Sequence, residues 1–187
     1  MKMPIDREFL NPFCGDDPTR YYLQVPFNQD GFAWATNGHI LVRVPEMEGL
    51  LPCSCPKPIN ISKPLTGFED AQFSKARWKL PAHDPHFKGP CIVCDGRGVL
   101  HDCPECDCIC EACKGTGRAD PERRTSVRIL GRLYALNYVR IIASLPGLEV
   151  SDGQGGERPL FYRFDGGIGA LMPLRAEFET HFDIEVQ

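Results

Sequence analysis

The sequence has no basic surplus. Its 21 lysines and arginines against 25 acids leave a formal net charge of -4, which disfavours a general nucleic-acid-coating protein. It has no apolar run near the ~20 residues that cross a bilayer, so no membrane partner is expected. The start, MKMPIDREFLNPF, lacks the apolar core and small-residue cleavage site of a secretory leader, and the expected location is the cytoplasm. Signatures of catalysis are missing as well: there is no P-loop, no His-Glu-x-x-His and no Ser-His-Asp order. The Gly-rich run DGGIG falls in a hairpin turn and not before a helix, which argues against a phosphate cradle. His39 follows a turn and reads as a packing residue, and His83 and His86 read as loop residues. The chain is therefore expected not to be an enzyme.

Cysteine, by contrast, is concentrated. Seven of the ten cysteines lie in CIVCDGRGVLHDCPECDCICEACKGTG, residues 91–117. Three Cys-x-x-Cys pairs stand there, Cys91/Cys94, Cys103/Cys106 and Cys110/Cys113, with Cys108 between the last two and His101 just before Cys103. Such a pair puts two thiolates on one side of a tight turn, spanning two corners of a zinc tetrahedron. Seven cysteines and one histidine make eight ligands, enough for two complete four-coordinate sites, so two Zn²⁺ ions are expected. Gly96/Gly98 and Gly115/Gly117 follow two of the pairs, and glycine lets amide N–H groups approach sulfur closely. The acids Asp95, Asp102, Glu105, Asp107 and Glu111 work against lowered thiol pKa values, which disfavours redox-reactive dithiols.

The flanks read as ordered structure. With 42% hydrophobic residues, 187 residues suffice for one domain or one domain with a large insertion. Ile5, Phe9, Leu10 and Phe13 have helical spacing behind Pro4, and Asn11-Pro12 ends that helix. YYLQVPF, GFAWAT and HILVRVP read as strands, with Asn37-Gly38 as a type I′ turn between the last two. A Pro-rich connector follows, carrying Cys53 and Cys55. After the cysteines, TSVRIL reads as a strand and YALNYVRIIASL as a largely buried helix with an outward stripe of Asn137, Arg140 and Ser144. LEVS, PLFYRFD and IGALMPL read as three further strands. FAWATNGHILVRVP (32–45) and FYRFDGGIGALMPL (161–174) form a weak repeat, so each half is a helix followed by three antiparallel strands. The fold class expected is α+β: a first half over 1–85 including the connector, a zinc insertion over 86–119 and a second half over 120–187.

Two resemblances attach to these residues. The Cys-x-x-Cys-x-Gly-x-Gly units at 91–98 and 110–117 resemble the zinc-binding repeats of DnaJ-type co-chaperones, without any J-domain signature. That resemblance implies one site from Cys91, Cys94, Cys110 and Cys113. The inner site is then Cys103, Cys106 and Cys108 with His101, or with Cys53 or Cys55 in place of the histidine. The ATNGHILVRVP and FYRFDGGIGALMPLR stretches are similar to the bacterial sliding-clamp domain, and to small phage-encoded clamp-like proteins with a Cys-rich insertion between half-domains. This likeness implies a DNA-clamp-like fold and helices that meet DNA through backbone contacts. Arg123, Arg124, Arg128, Arg132 and Arg140 would supply those contacts, provided they face one way, and a homo-oligomer would multiply them. The function expected is a DNA-associated accessory factor. The alternative is a small inhibitor or adaptor that grips a host protein, such as a defence-system component, through the zinc module or the sheet.

Overall fold

A computed structural model describes residues 5–55, 60–76, 78–80, 89–91, 93–100, 109–110, 113–119, 126–151, 159–174 and 181–184. The chain opens with a short helix α1 (Arg7–Leu10), capped where Asp6 Oδ1 accepts from the Phe9 N–H at 2.8 Å. A 3₁₀ turn over Asn11–Phe13 continues it, with Pro12 at its start. The strands that follow are β1 (Phe27–Gln29), β2 (Phe32–Thr36), β3 (Ile40–Pro45), β4 (Ser74–Lys75), β5 (Gly89–Pro90) and β6 (Arg118–Ala119). Then come β7 (Ser126–Ile129), β8 (Arg132–Ala135), the helix α2 (Leu136–Ala143), β9 (Glu149–Ser151), β10 (Leu160–Phe164), β11 (Gly167–Leu171) and β12 (His181–Ile184). No helix among the described residues is long and apolar enough to cross a membrane.

Seven strands form one antiparallel sheet in the order β1-β2-β3-β11-β10-β9-β4. Its centre is the pairing of β3 with β11, from Arg43↔Ile168 to Ile40↔Leu171. A helix and the meander β1-β2-β3 thus come from the first half, and a helix and the meander β9-β10-β11 from the second. The two meanders meet edge to edge, and β4 of the first half crosses over to pair with β9 at the far edge. Alternation along the strands sorts the side chains by face. Ile40, Val42, Val44, Leu160, Tyr162 and Phe164 share one core with Leu10 and Phe13 at α1 and with Leu136, Val139 and Ile142 on α2. Both helices therefore cover the same face. The three-stranded sheet β12-β7-β8 adds Val127, Ile129 and Tyr134 to that core. On the other face, Leu41, Phe161 and Ala170 lie under Ile61, Leu65 and Phe68 from the connector.

The seam between the halves has a brace. Tyr162 is fully buried, and its hydroxyl donates to the Leu41 carbonyl at 2.7 Å, reaching from β10 past β11 to β3. The ring crosses over Gly169, its register partner, where any Cβ would collide with the phenol.

Several expectations shift. YYLQVPF is not a strand from its start: Pro18–Leu23 is a 3₁₀ turn, and only Phe27 opens β1. The local cause is Asp17, whose carboxylate accepts from Thr19 N–H at 2.9 Å and Thr19 Oγ1 at 2.6 Å ahead of Pro18. The Asn37-Gly38 turn is not type I′, because only Gly38 has positive φ (91°). Asn37 Oδ1 instead accepts from the His39 and Ile40 amides at 2.8 and 3.0 Å. The type I′ geometry belongs to Asp30-Gly31 (φ 53° and 75°) and Leu130-Gly131 (φ 51° and 81°). Tyr134 and Ala135 belong to β8 and not to the helix. In the outward stripe of α2, Ser144 is exposed, but Asn137 and Arg140 are half-buried and Asn137 Oδ1 is sealed from solvent without a partner.

Removing the brace should loosen the seam. Tyr162→Phe removes this hydrogen bond, while the Leu41 carbonyl keeps its ladder partner on β11, and should cost about 0.5–1.5 kcal/mol in urea unfolding. Gly169→Ala forces the ring aside, at about 1–3 kcal/mol. Burial raises the Tyr162 pKa well above its ordinary value of 10.0. The folded state therefore keeps a proton that the unfolded state loses above that pH. Stability should be flat just below about pH 10 and fall above it, and Tyr162→Phe should flatten that fall. An unchanged urea midpoint in both variants would show that the seam does not depend on this contact.

Candidate metal centre

Four cysteines converge between β5 and β6, which pair as Gly89↔Ala119 and Pro90↔Arg118 and close the base of the knuckle. The two arms repeat each other at an offset of 19 residues. In the first, Gly96 N–H donates to Cys91 O at 3.0 Å and Arg97 N–H to Cys94 O at 2.9 Å. In the second, Gly115 N–H donates to Cys110 O at 3.2 Å and Thr116 N–H to Cys113 O at 3.1 Å. Asp95 and Lys114 take matching left-handed conformations (φ 50° and 53°), each followed by a glycine.

The arms also clasp each other. Cys91 N–H donates to the Gly117 carbonyl and Cys110 N–H to the Gly98 carbonyl, both at 2.8 Å. Gly98 and Gly117 make this possible. A Cβ on Gly98 would run into the Gly115 carbonyl, and one on Gly117 into the Gly96 carbonyl. The knuckle is locally two-fold, and its glycines are where the arms touch.

All four sulfurs lie within 4.8 Å of one another, and the four residues are buried. Cys91 Sγ is 3.9 Å from Cys110 Sγ, and Cys94 Sγ is 3.8 Å from Cys113 Sγ. Zinc–thiolate bonds of about 2.3 Å in a tetrahedron place sulfurs about 3.8 Å apart, which is the spacing found. A disulfide would need about 2.05 Å. Amides already point at the sulfurs, with Gly98 N–H donating to Cys94 Sγ at 3.2 Å. Burial alone would raise the Cys113 pKa. The Gly117 N–H and the neighbouring thiols of Cys110, Cys94 and Cys91 outweigh it and bring the value down to about 7. The donor set fits a divalent metal bound by four thiolates, and a closed tetrahedron leaves no position for a reacting water.

The other thiols lie elsewhere. Cys14 Sγ donates to Leu10 O at 3.8 Å, and burial, opposed by the nearby Arg7 charge, pushes its pKa up to about 11, which makes it unreactive. Cys53 packs against the core around Phe27 and Trp34, and burial raises its pKa too. Neither Cys53 nor Cys55 joins the quartet, the one such group among the described residues. The inner-site residues His101, Cys103, Cys106 and Cys108 lie outside the described residues, as do Arg123 and Arg124. Among the remaining arginines, Arg128 stands opposite Leu133 and Arg132 opposite Ile129, so the two are on opposite faces of the β7–β8 hairpin. Arg140 is half-buried on α2. The structure therefore does not bring Arg128 and Arg132 onto one surface.

His39 stacks on Tyr138, with ring centroids 6.1 Å apart and planes within 19°, which agrees with a packing role. No family model, curated protein or solved structure matches the chain.

Cys94→Ser should release one equivalent of metal, read by elemental analysis of the purified protein. The amides of 91–98 and 113–117 should lose exchange protection while those of the β3–β11 seam keep theirs. Retention of the full metal content would remove the quartet as a metal centre.

Proposed function

We propose that this chain is a non-enzymatic, zinc-stabilised accessory protein with a clamp-like fold that associates with DNA. The observation that carries the reading is the joining of two helix-plus-meander halves in one sheet, with both helices on the same face. That arrangement is what two related half-domains of a processivity fold require, and it leaves the outer sides of α1 and α2 turned away from the sheet. Arg7 on α1 is exposed and Arg140 on α2 is half-buried, so one copy offers few phosphate contacts. Useful affinity then comes from several copies arranged by symmetry. Zinc, held by Cys91, Cys94, Cys110 and Cys113, supplies the knuckle with the cohesion that its few apolar residues lack. Metal identity, the second zinc and the role of the arginines belong to this proposal.

A second reading has its own support. At the far end of the knuckle, beside the Val99↔Ile109 bridge, Leu100 is 38% and Ile109 55% exposed. A rigid metal-tied module presenting apolar side chains suits an adaptor or inhibitor that grips another protein.

Native mass spectrometry with and without a DNA duplex separates the two. A zinc-loaded closed oligomer that retains duplex is the expected result. A zinc-loaded monomer that ignores duplex would overturn the clamp reading in favour of the adaptor.

A further inference from the structure

The face of the seven-stranded sheet opposite the helices is only half covered. Along it, Leu41, Phe161 and Ala170 are buried beneath the connector, whereas the next residues on the same face, Arg43, Arg163 and Ile168, are not. The strand registers place these in one row that crosses the whole sheet. It runs Phe27↔Trp34, Trp34↔Arg43, Arg43↔Ile168, Ile168↔Arg163, Arg163↔Glu149 and Glu149↔Lys75. Three of its members are cations, two strands apart from one another. At about 4.8 Å per strand, they are spaced by about 10 Å.

Two of the cations lie on aromatic rings. The Arg43 guanidinium is 4.4 Å from the Phe32 ring centre and 5.7 Å from that of Trp34. The Arg163 guanidinium is 4.6 Å from the Phe73 ring centre. Such stacking fixes a guanidinium plane without using its N–H donors. Arg163 spends some of its donors on Glu149. Arg43 has no ion pair or hydrogen bond among the described residues, so its donors are free. Lys75 is exposed at the last strand, and Phe32 is 36% exposed at the open end of the face. The row carries three positive charges and one negative, on a chain whose formal net charge is -4.

We propose that this open row, Arg43–Ile168–Arg163–Glu149–Lys75 with the rings of Phe32 and Phe73, binds single-stranded nucleic acid. The cations take successive stretches of the phosphate backbone, Arg43 through a bidentate contact. The ring edges and the stacked guanidinium planes give the splayed bases a flat, sequence-tolerant surface. A duplex would present phosphates without accessible base faces and would leave the rings unused. The site goes beyond the clamp reading, since it lies on the face away from the helices and requires neither metal nor oligomer.

The test uses the full-length, metal-loaded protein and a fluorescein-labelled oligo-dT of about 12 nucleotides, within the span of one such binding surface. Anisotropy titrations at several salt concentrations should show binding that weakens with salt. The log–log slope should be about -2, from three contacts at about 0.7 each. Arg43→Gln and Arg163→Gln should each weaken binding about tenfold at low salt and flatten the slope by about 0.7. Arg43→Lys, which keeps charge but not the planar fork, should fall between. Should Arg43→Gln fail to fold, Arg163→Gln and Lys75→Gln, both at exposed positions, carry the test. Absence of oligo-dT binding at low salt, or an unchanged slope in the Arg43→Gln/Arg163→Gln protein, would overturn the proposal. Equal competition by a poly-glutamate peptide would overturn it too, in favour of an acidic protein partner. A monomer that ignores duplex yet binds oligo-dT through these residues would overturn the clamp reading and uphold this one.

Discussion

The pairing of β3 with β11 is the contact on which the rest of the molecule hangs. Without it, the sheet would fall into three strands, β1-β2-β3, and four, β11-β10-β9-β4, each with an unpaired inner edge prone to pair with other chains. With it, the two edges satisfy each other and one continuous core forms beneath both helices. Tyr162 makes the junction specific. Its hydroxyl finds the Leu41 carbonyl only if the phenol lies across β11, and only a glycine at 169 leaves room. A buried hydroxyl without that acceptor would be costly, so this hydrogen bond resists a register slip that burial of apolar surface alone would tolerate less selectively.

The knuckle solves a different problem by different means. Its buried cluster contains four cysteines, with Val93 packed against them. So little apolar surface cannot offset the entropy of ordering the two arms. Tetrahedral metal binding is the available substitute, and the backbone is shaped for it. Reciprocal hydrogen bonds between Cys91 and Gly117 and between Cys110 and Gly98 hold the arms at the sulfur spacing a metal requires. The pairing of β5 with β6 closes the base of the arms.

Charge follows neither the composition nor the local runs of the sequence. The arginines after the cysteines are expected to meet DNA together if they face one way, yet hairpin alternation sends Arg128 and Arg132 to opposite sides, and Arg128, Arg132 and Arg140 all have interaction partners. Conversely, Arg43, Arg163 and Lys75 lie far apart along an acidic chain and meet in one row. A long-range field in such a protein is set by strand register, not by windowed counts.

How much was legible in the sequence depended on how local the cause was. Each sulfur pair could be read because its determinants sit within a few residues: Cys-x-x-Cys sets the pair, and the trailing glycines supply positive φ at 96, 98, 115 and 117. The joining of Cys91/Cys94 with Cys110/Cys113, by contrast, was implied only by the resemblance to DnaJ-type repeats. The β2, β3, β10 and β11 strands were legible from their apolar patterns. Where two local signals competed, the less conspicuous one won. The Asp17-Pro18 start overrode the β-propensity of Tyr21 and Tyr22, and the Asn37 side chain replaced the type I′ turn with its own hydrogen bonds. The two Cys-x-x-Cys turns were thus determined by the sequence itself, through spacing and backbone freedom. The β3–β11 seam, the reach of Tyr162 across Gly169 and the row of stacked arginines were decided only by tertiary structure, because each needs residues more than a hundred positions apart to fall into one register.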